Sequence, residues 1–197
     1  MEERLLLMNK KTMYLDLDDT ILDCTQYLLQ WHGKESPFSD PSKCGSRNIH
    51  GYLGMDWDTC WNQLPSVFWE TVPFCPWGQD MVKLAEKYFG NEVYLLTSPI
   101  PNGECSKGKQ LWVNKFMPEY KSKLIIGHEK HACVGHDGIL IDDSYSMEER
   151  FANHNKSSSF FLFPSYLNKL HGVMDAMYKD PSLAIKMVQA KLDSLVN

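Results

Sequence analysis

The chain has 197 residues, enough for one full hydrophobic core with a small insertion rather than for two independent domains. Hydrophobic residues at 43% and charged residues at 23% are the balance of a globular chain, not of a disordered or fibrous one. A formal net charge of −5 gives no support to a surface that coats a nucleic acid polymer, yet a small phosphorylated ligand needs only local positive charge.

The start, Met1-Glu2-Glu3-Arg4, is acidic, and the apolar run Leu5-Leu6-Leu7-Met8 is too short for a signal-peptide core or a membrane span. No membrane association is expected. The six cysteines form no Cys-x-x-Cys and, with no export signal in view, read as reduced thiols of a cytoplasmic protein. The first strand is predicted over Thr12-Met13-Tyr14-Leu15, and it delivers Asp16 and Asp18, followed at once by Asp19 and Thr20. Residues 23–76 then break any regular rhythm. They hold Pro37, Pro41, Pro65, Pro73 and Pro76, helical fragments near 23–32 and 56–70, and the aromatic rings of Trp31, Trp57, Trp61, Phe68 and Trp69. Such a stretch is too long for a plain loop and reads as a helical insertion. From Trp77 to Phe89 apolar residues recur at helical spacing, with Gly90 as a natural C-cap. Strands over 92–96, 123–126, 138–141 and 159–163 alternate with helices over 106–117 and 144–155. The helix over 106–117 is expected to carry Leu111, Trp112 and Phe116 on one face. An amphipathic tail over 181–196 has Leu183, Ile185, Val188, Leu192 and Leu195 as its stripe. Strands alternating with helices predict an α/β fold with a doubly wound parallel sheet. The core would comprise residues 1–22 and 77–197, and the insertion 23–76.

Ligands of open α/β sheets bind outside the carboxyl ends of the strands. There the sequence places Asp16 and Asp18 after the first strand, Thr97-Ser98 after the second, Lys130 in a later connection and Asp142-Asp143 after the run Gly138 to Ile141. Several carboxylates brought to one place repel one another unless a cation or a proton lies between them, so two acidic strand ends suggest one shared site for a hard metal ion. His128, His131, Cys133 and His136 lie close in sequence but match no standard zinc spacing, and the Lys107/Lys109 and Lys121/Lys123 pairs read as solvated faces.

The succession Asp16-x-Asp18-x-Thr20, Thr97-Ser98, Lys130 and Asp142-Asp143 resembles the motifs of haloacid dehalogenase superfamily phosphohydrolases. Within that superfamily the segments Leu96-Thr97-Ser98-Pro99-Ile100, Lys109, Trp112-Val113, Glu129-Lys130 and Phe68-Trp69-Glu70 are most similar to 5′(3′)-deoxyribonucleotidases. The resemblance runs over roughly residues 12–145. It implies that Asp16 is a nucleophile forming an aspartyl-phosphate and that Asp18 is the general acid and then the base. It further implies that Thr97, Ser98 and Lys130 bind phosphate, and that Mg²⁺ is held by Asp16, the backbone carbonyl of Asp18 and Asp142, with Asp143 orienting that shell. His128, Trp57, Trp61, Phe68 and Trp69 become candidate substrate contacts. The motif departs from the nucleotidase pattern at Asp19-Thr20, a pair found elsewhere in the superfamily, and at Pro101 and Ser144, where basic residues are more usual. The activity that the resemblance implies is hydrolysis of (deoxy)ribonucleoside monophosphates. A phosphatase of another small metabolite such as a sugar phosphate, and a non-catalytic phospho-ligand or protein-binding module, are the alternatives. The sequence does not set the preferred base, the sugar or the oligomeric state; a homodimer is one option.

Overall fold

A computed structural model of the chain describes residues 12–154, 156 and 159–196. Five strands, β1 (Thr12–Leu15), β2 (Val93–Thr97), β3 (Leu124–Ile126), β4 (Gly138–Asp142) and β5 (Phe160–Leu162), form one sheet in the order β3-β2-β1-β4-β5. Every neighbouring pair is parallel. Val93–Thr97 and Gly138–Asp142 are almost continuously buried, as expected of strands covered on both faces, whereas edge strand β3 is only half-buried.

Side chains alternate across the sheet and build a core on each side of it. Met13, Leu15, Val93, Leu95, Ile139 and Ile141 belong to one buried cluster, while Leu96, Leu140, Phe160 and Leu162 belong to another, joined by Tyr14. Helix α4 (Gly78–Phe89) and the C-terminal helix α9 (Ser182–Val196) bury Met81, Leu84, Val188 and Leu192 in the first cluster. Helix α7 (Tyr145–Asn153) brings Met147 and Phe151 to the second. The chain is thus an α/β protein with helices on both faces of an all-parallel sheet.

Three details differ from the sequence-based expectation. Helix α5 (Glu104–Phe116) buries Cys105, Gly108, Lys109, Trp112 and Val113, whereas Leu111 and Phe116 stay exposed. Its inner face is chosen by close approach and not by greasiness: a Cβ on Gly108 would lie 2.4 Å from the Ser66 carbonyl oxygen. The segment between β5 and the amphipathic tail, for which the sequence predicts no element, contains helix α8 (Met174–Lys179), and its Met174 and Met177 fill the core. The helix expected over 144–155 ends at Asn153; Asn155 and the side chain of Leu195 lie outside the described residues.

Residues 23–76 connect β1 to α4 through short pieces: α1 (Cys24–Trp31), α2 (Ile49–Tyr52), a π-turn over Asp58–Asn62 and α3 (Ser66–Thr71). Their buried residues Leu28, Leu29, Phe38, Ile49, Leu53, Cys60 and Phe68 share the first cluster with the sheet. Among the described residues, no helix is long and apolar enough to cross a membrane.

Candidate active site

The strand order reverses at β1, because β2 and β3 lie to one side and β4 and β5 to the other. Asp16 follows β1 and Asp142 ends its neighbour β4, so both carboxylates stand at this switch point. The loop after β1 is held rigidly. The amides of Thr20, Ile21 and Leu22 turn back to the Leu17 carbonyl, and the buried indole of Trp77 donates to the Thr20 carbonyl at 2.8 Å. Gly78 lets the start of α4 touch this loop, since a Cβ there would lie 2.3 Å from the Ile21 carbonyl oxygen. Asp19 adopts a left-handed backbone (φ 53°), which aspartate tolerates better than most residues, and its carboxylate accepts from the amide and hydroxyl of Thr25.

Lys130 opens helix α6 (Lys130–Cys133) and is buried between two acids. Its Nζ is 2.7 Å from Asp16 Oδ1 and 2.6 Å from Asp142 Oδ2. The Leu17 amide donates to Asp16 Oδ1 at 2.8 Å and the Ser144 amide to Asp142 Oδ1 at 2.7 Å, which fixes both carboxylates. Asp143 completes the group: one oxygen from each of Asp16, Asp142 and Asp143 lies within 4.8 Å of the others. Among the described residues this is the one cluster of three or more metal-ligating side chains.

Burial dominates the electrostatics. It raises the Asp16 pKa to about 7, against the lowering effect of Lys130 and with help from the negative charges of Asp142 and Asp18. Burial also pushes Asp143 well up, offset in part by Arg47. For Lys130 burial opposes the charge, but Asp142 and Asp16 outweigh it and hold its pKa above the usual lysine value. Asp143 Oδ2 and Asp18 Oδ1 are buried with no hydrogen-bond partner. A carboxylate set short of positive charge, with an oxygen unsatisfied, is what a hard divalent cation would complete.

Asp18 is organised differently. Lys109, buried on the inner face of α5, donates to Asp18 Oδ2 at 2.5 Å, to Thr97 Oγ1 at 2.8 Å and to the Ser98 carbonyl at 2.8 Å. Trp69 lies over the same ammonium, 5.2 Å from Nζ to the ring centroid. The expectation that Lys109 is solvated is thus corrected: it is 1% exposed. The signal was present, because Cys105, Gly108, Lys109 and Trp112 repeat at helical spacing, but a lysine and a glycine do not count as an apolar stripe. Arg47 and Asn168 also escaped the sequence reading. Asn168 Nδ2 donates to the Asp143 carbonyl at 2.8 Å and to the Phe163 carbonyl at 2.7 Å, which ties the loop after β5 to the acidic pair.

A cavity of about 690 Å³ adjoins this end of the sheet through Asp18, Asp19 and Ser98. Its wall includes Asp18, Asp19 and Ser98 on the strand-end side and Arg47, Trp57, Trp61 and Trp69 on the insertion side. Three of the candidate substrate contacts, Trp57, Trp61 and Trp69, therefore face the site, and Trp61 and Trp69 stack on each other at 6.3 Å. Phe68 does not: it is fully buried, stacked on Tyr27 at 5.2 Å. His128 is exposed and lies outside the cavity wall. His131 packs its ring against His154, with centroids 4.0 Å apart, and Cys133 is exposed. Asp16, Asp18, Thr97, Ser98, Lys130, Asp142 and Asp143 are thus brought to one end of the sheet. No protein-family model matches the chain, and no curated protein matches it.

Proposed function

We propose that the protein is a Mg²⁺-dependent phosphatase that hydrolyses nucleoside monophosphates through an aspartyl-phosphate on Asp16. The observation that carries this reading is the double bridge Asp16–Lys130–Asp142 at the strand-order switch, beside a second, separately neutralised acid, Asp18. A binding module has no need of two neighbouring acids that each face a buried lysine of their own.

The residues present fit a magnesium ion: Asp16, Asp142 and the Asp18 carbonyl would hold it, with Asp143 adjoining. When bound, the ion supplies charge neutralisation for phosphate oxygens at Asp16. In the first half-reaction the Asp16 carboxylate forms a bond to phosphorus while the ester oxygen leaves and takes a proton from Asp18. In the second, Asp18 takes a proton from the water that attacks the acyl-phosphate, restoring both carboxyls and releasing phosphate. Asp18 lines the cavity, from which these transfers are made, and Lys109 holds its Oδ2. Lys130 at 2.7 Å and the Leu17 amide at 2.8 Å are the donors on the attacking acid. The same positive charge relieves the repulsion between a phosphate dianion and Asp16.

The nucleotide part of the proposal is supported by Trp57 and Trp61, which line the cavity with Asp18 and Ser98, and by a cavity volume ordinary for a small-molecule site. A phosphate-release screen over nucleoside 5′- and 3′-monophosphates and sugar phosphates, with and without Mg²⁺, tests it. Mg²⁺-dependent release favouring nucleotides is expected. Equal turnover of sugar phosphates would replace the nucleotidase by a general metabolite phosphatase, and no release from any ester would remove the phosphatase reading.

A further inference from the structure

The two lysines of the site are committed. Lys130 is buried between Asp16 and Asp142, and Lys109 is buried against Asp18, Thr97 and Ser98. Neither lines the cavity. Among the described residues, the lysine or arginine that does is Arg47, contributed by the insertion and accessible to solvent. Its surroundings define which end of the cavity it serves. The carboxylate acting most strongly on the guanidinium is Asp143, followed by Asp19, Asp142 and Asp16, and together they raise its pKa. All four belong to the strand-end side, and Arg47 shares the cavity wall with Asp18, Asp19 and Ser98 of that side.

The placement of Arg47 is built into the backbone. The Gly45 amide donates to the Tyr166 carbonyl at 2.8 Å, and Phe38 stacks on Tyr166 at 4.6 Å with the rings almost parallel. On its other side the same loop carries Asn168, which holds the Asp143 carbonyl. One loop therefore sets both Asp143 and the strand of insertion that bears Arg47. Gly45 itself sits at φ 76°, where a side chain would strain the turn.

Resting on the phosphatase reading above, we propose that Arg47 is a catalytic residue that grips two oxygens of the transferring phosphate from the insertion side of the cavity. A guanidinium presents a planar fork that matches phosphate oxygens in pairs, which the point charge of a lysine cannot do. The incoming dianion needs such a donor, because the wall it meets carries Asp18 and Asp19.

The test uses the whole protein with Mg²⁺, inorganic phosphate as probe and p-nitrophenyl phosphate as ester. Arg47→Met should weaken phosphate binding, measured calorimetrically, by about 10- to 100-fold, the range for a lost charged hydrogen-bond pair. It should lower kcat/KM for the ester by a similar factor. Arg47→Lys should recover only part of both. Phosphate affinity of Arg47→Met within about twofold of wild type, with an unchanged circular dichroism spectrum, overturns the assignment, as does a wild type that binds no phosphate. Arg47→Gln is judged by the same criteria should the methionine variant unfold. A wild type that binds phosphate through Arg47 yet releases none from any ester would overturn the phosphatase reading and leave Arg47 as an anion-binding residue. Turnover that is indifferent to Arg47 would do the reverse.

Discussion

At the scale of single residues, the site separates two aspartates that the sequence places only two positions apart. Asp16 shares Lys130 with Asp142 in a buried, acid-rich cluster, while Asp18 shares Lys109 with no other acid. This division makes their substitutions distinguishable. Asp18→Asn keeps the backbone carbonyl and loses the proton-transfer step, so turnover of a nucleotide should fall by about 10²–10⁴-fold. An ester of p-nitrophenol, whose leaving group needs little protonation, should lose far less in a single-turnover measurement of the first step. Equal losses on both esters would take the acid role away from Asp18. The acids were legible in the sequence because each follows an apolar run that could only be a strand. Lys109 was not, since burial of a lysine depends on partners 12 and 91 residues away, Thr97 and Asp18, that no local pattern announces.

At the scale of elements, the strands and the long helices were legible from periodicity, because each buries one face and its apolar residues repeat accordingly. What the pattern missed were contacts made by small residues. Helix α3 lies on α5 because Gly108 has no side chain, and that contact carries Trp69 over Lys109. Gly108→Ala would set a methyl 2.5 Å from Trp69 Cβ and still closer to the Ser66 carbonyl, so α3 must move away. The expected cost is about 1–3 kcal/mol in urea unfolding, together with reduced turnover from a displaced Lys109. A variant as stable and as active as wild type would mean that α3 is not seated by this glycine. The short helices of residues 23–76 were only partly legible: α2 has four residues, too few for a period to show, and is held by the Asn48 side chain accepting from the Gly51 amide.

At the scale of the whole molecule, stability and the site are linked through buried acids. Asp16 and Asp19, with pKa values raised to about 7 and about 6, and Asp143, raised well above the usual carboxylate range, all hold their protons to higher pH in the folded metal-free protein than in the unfolded chain. A raised folded-state pKa contributes stability at pH below the unfolded value, and that contribution is lost as pH rises through the folded value. Metal-free protein should therefore melt at lower temperature at pH 8 than at pH 5. Mg²⁺ binds the ionised carboxylates, so the rise in Tm that it produces should be larger at pH 8 than at pH 5. An Mg²⁺ effect that is constant across this range, or larger at pH 5, would argue that the ion does not bind among these acids.

The central claim is that Asp16 becomes phosphorylated in turnover, and trapping tests it most directly. Protein quenched during Mg²⁺-dependent turnover of a nucleoside monophosphate is reduced with borohydride, which converts an aspartyl-phosphate to homoserine, and is then digested and read by mass spectrometry. The account predicts homoserine at position 16, dependent on substrate and abolished in Asp16→Asn, which should also release no phosphate. An Asp16→Asn variant that keeps wild-type turnover, or homoserine formed at another aspartate while Asp16 stays unmodified, would contradict it.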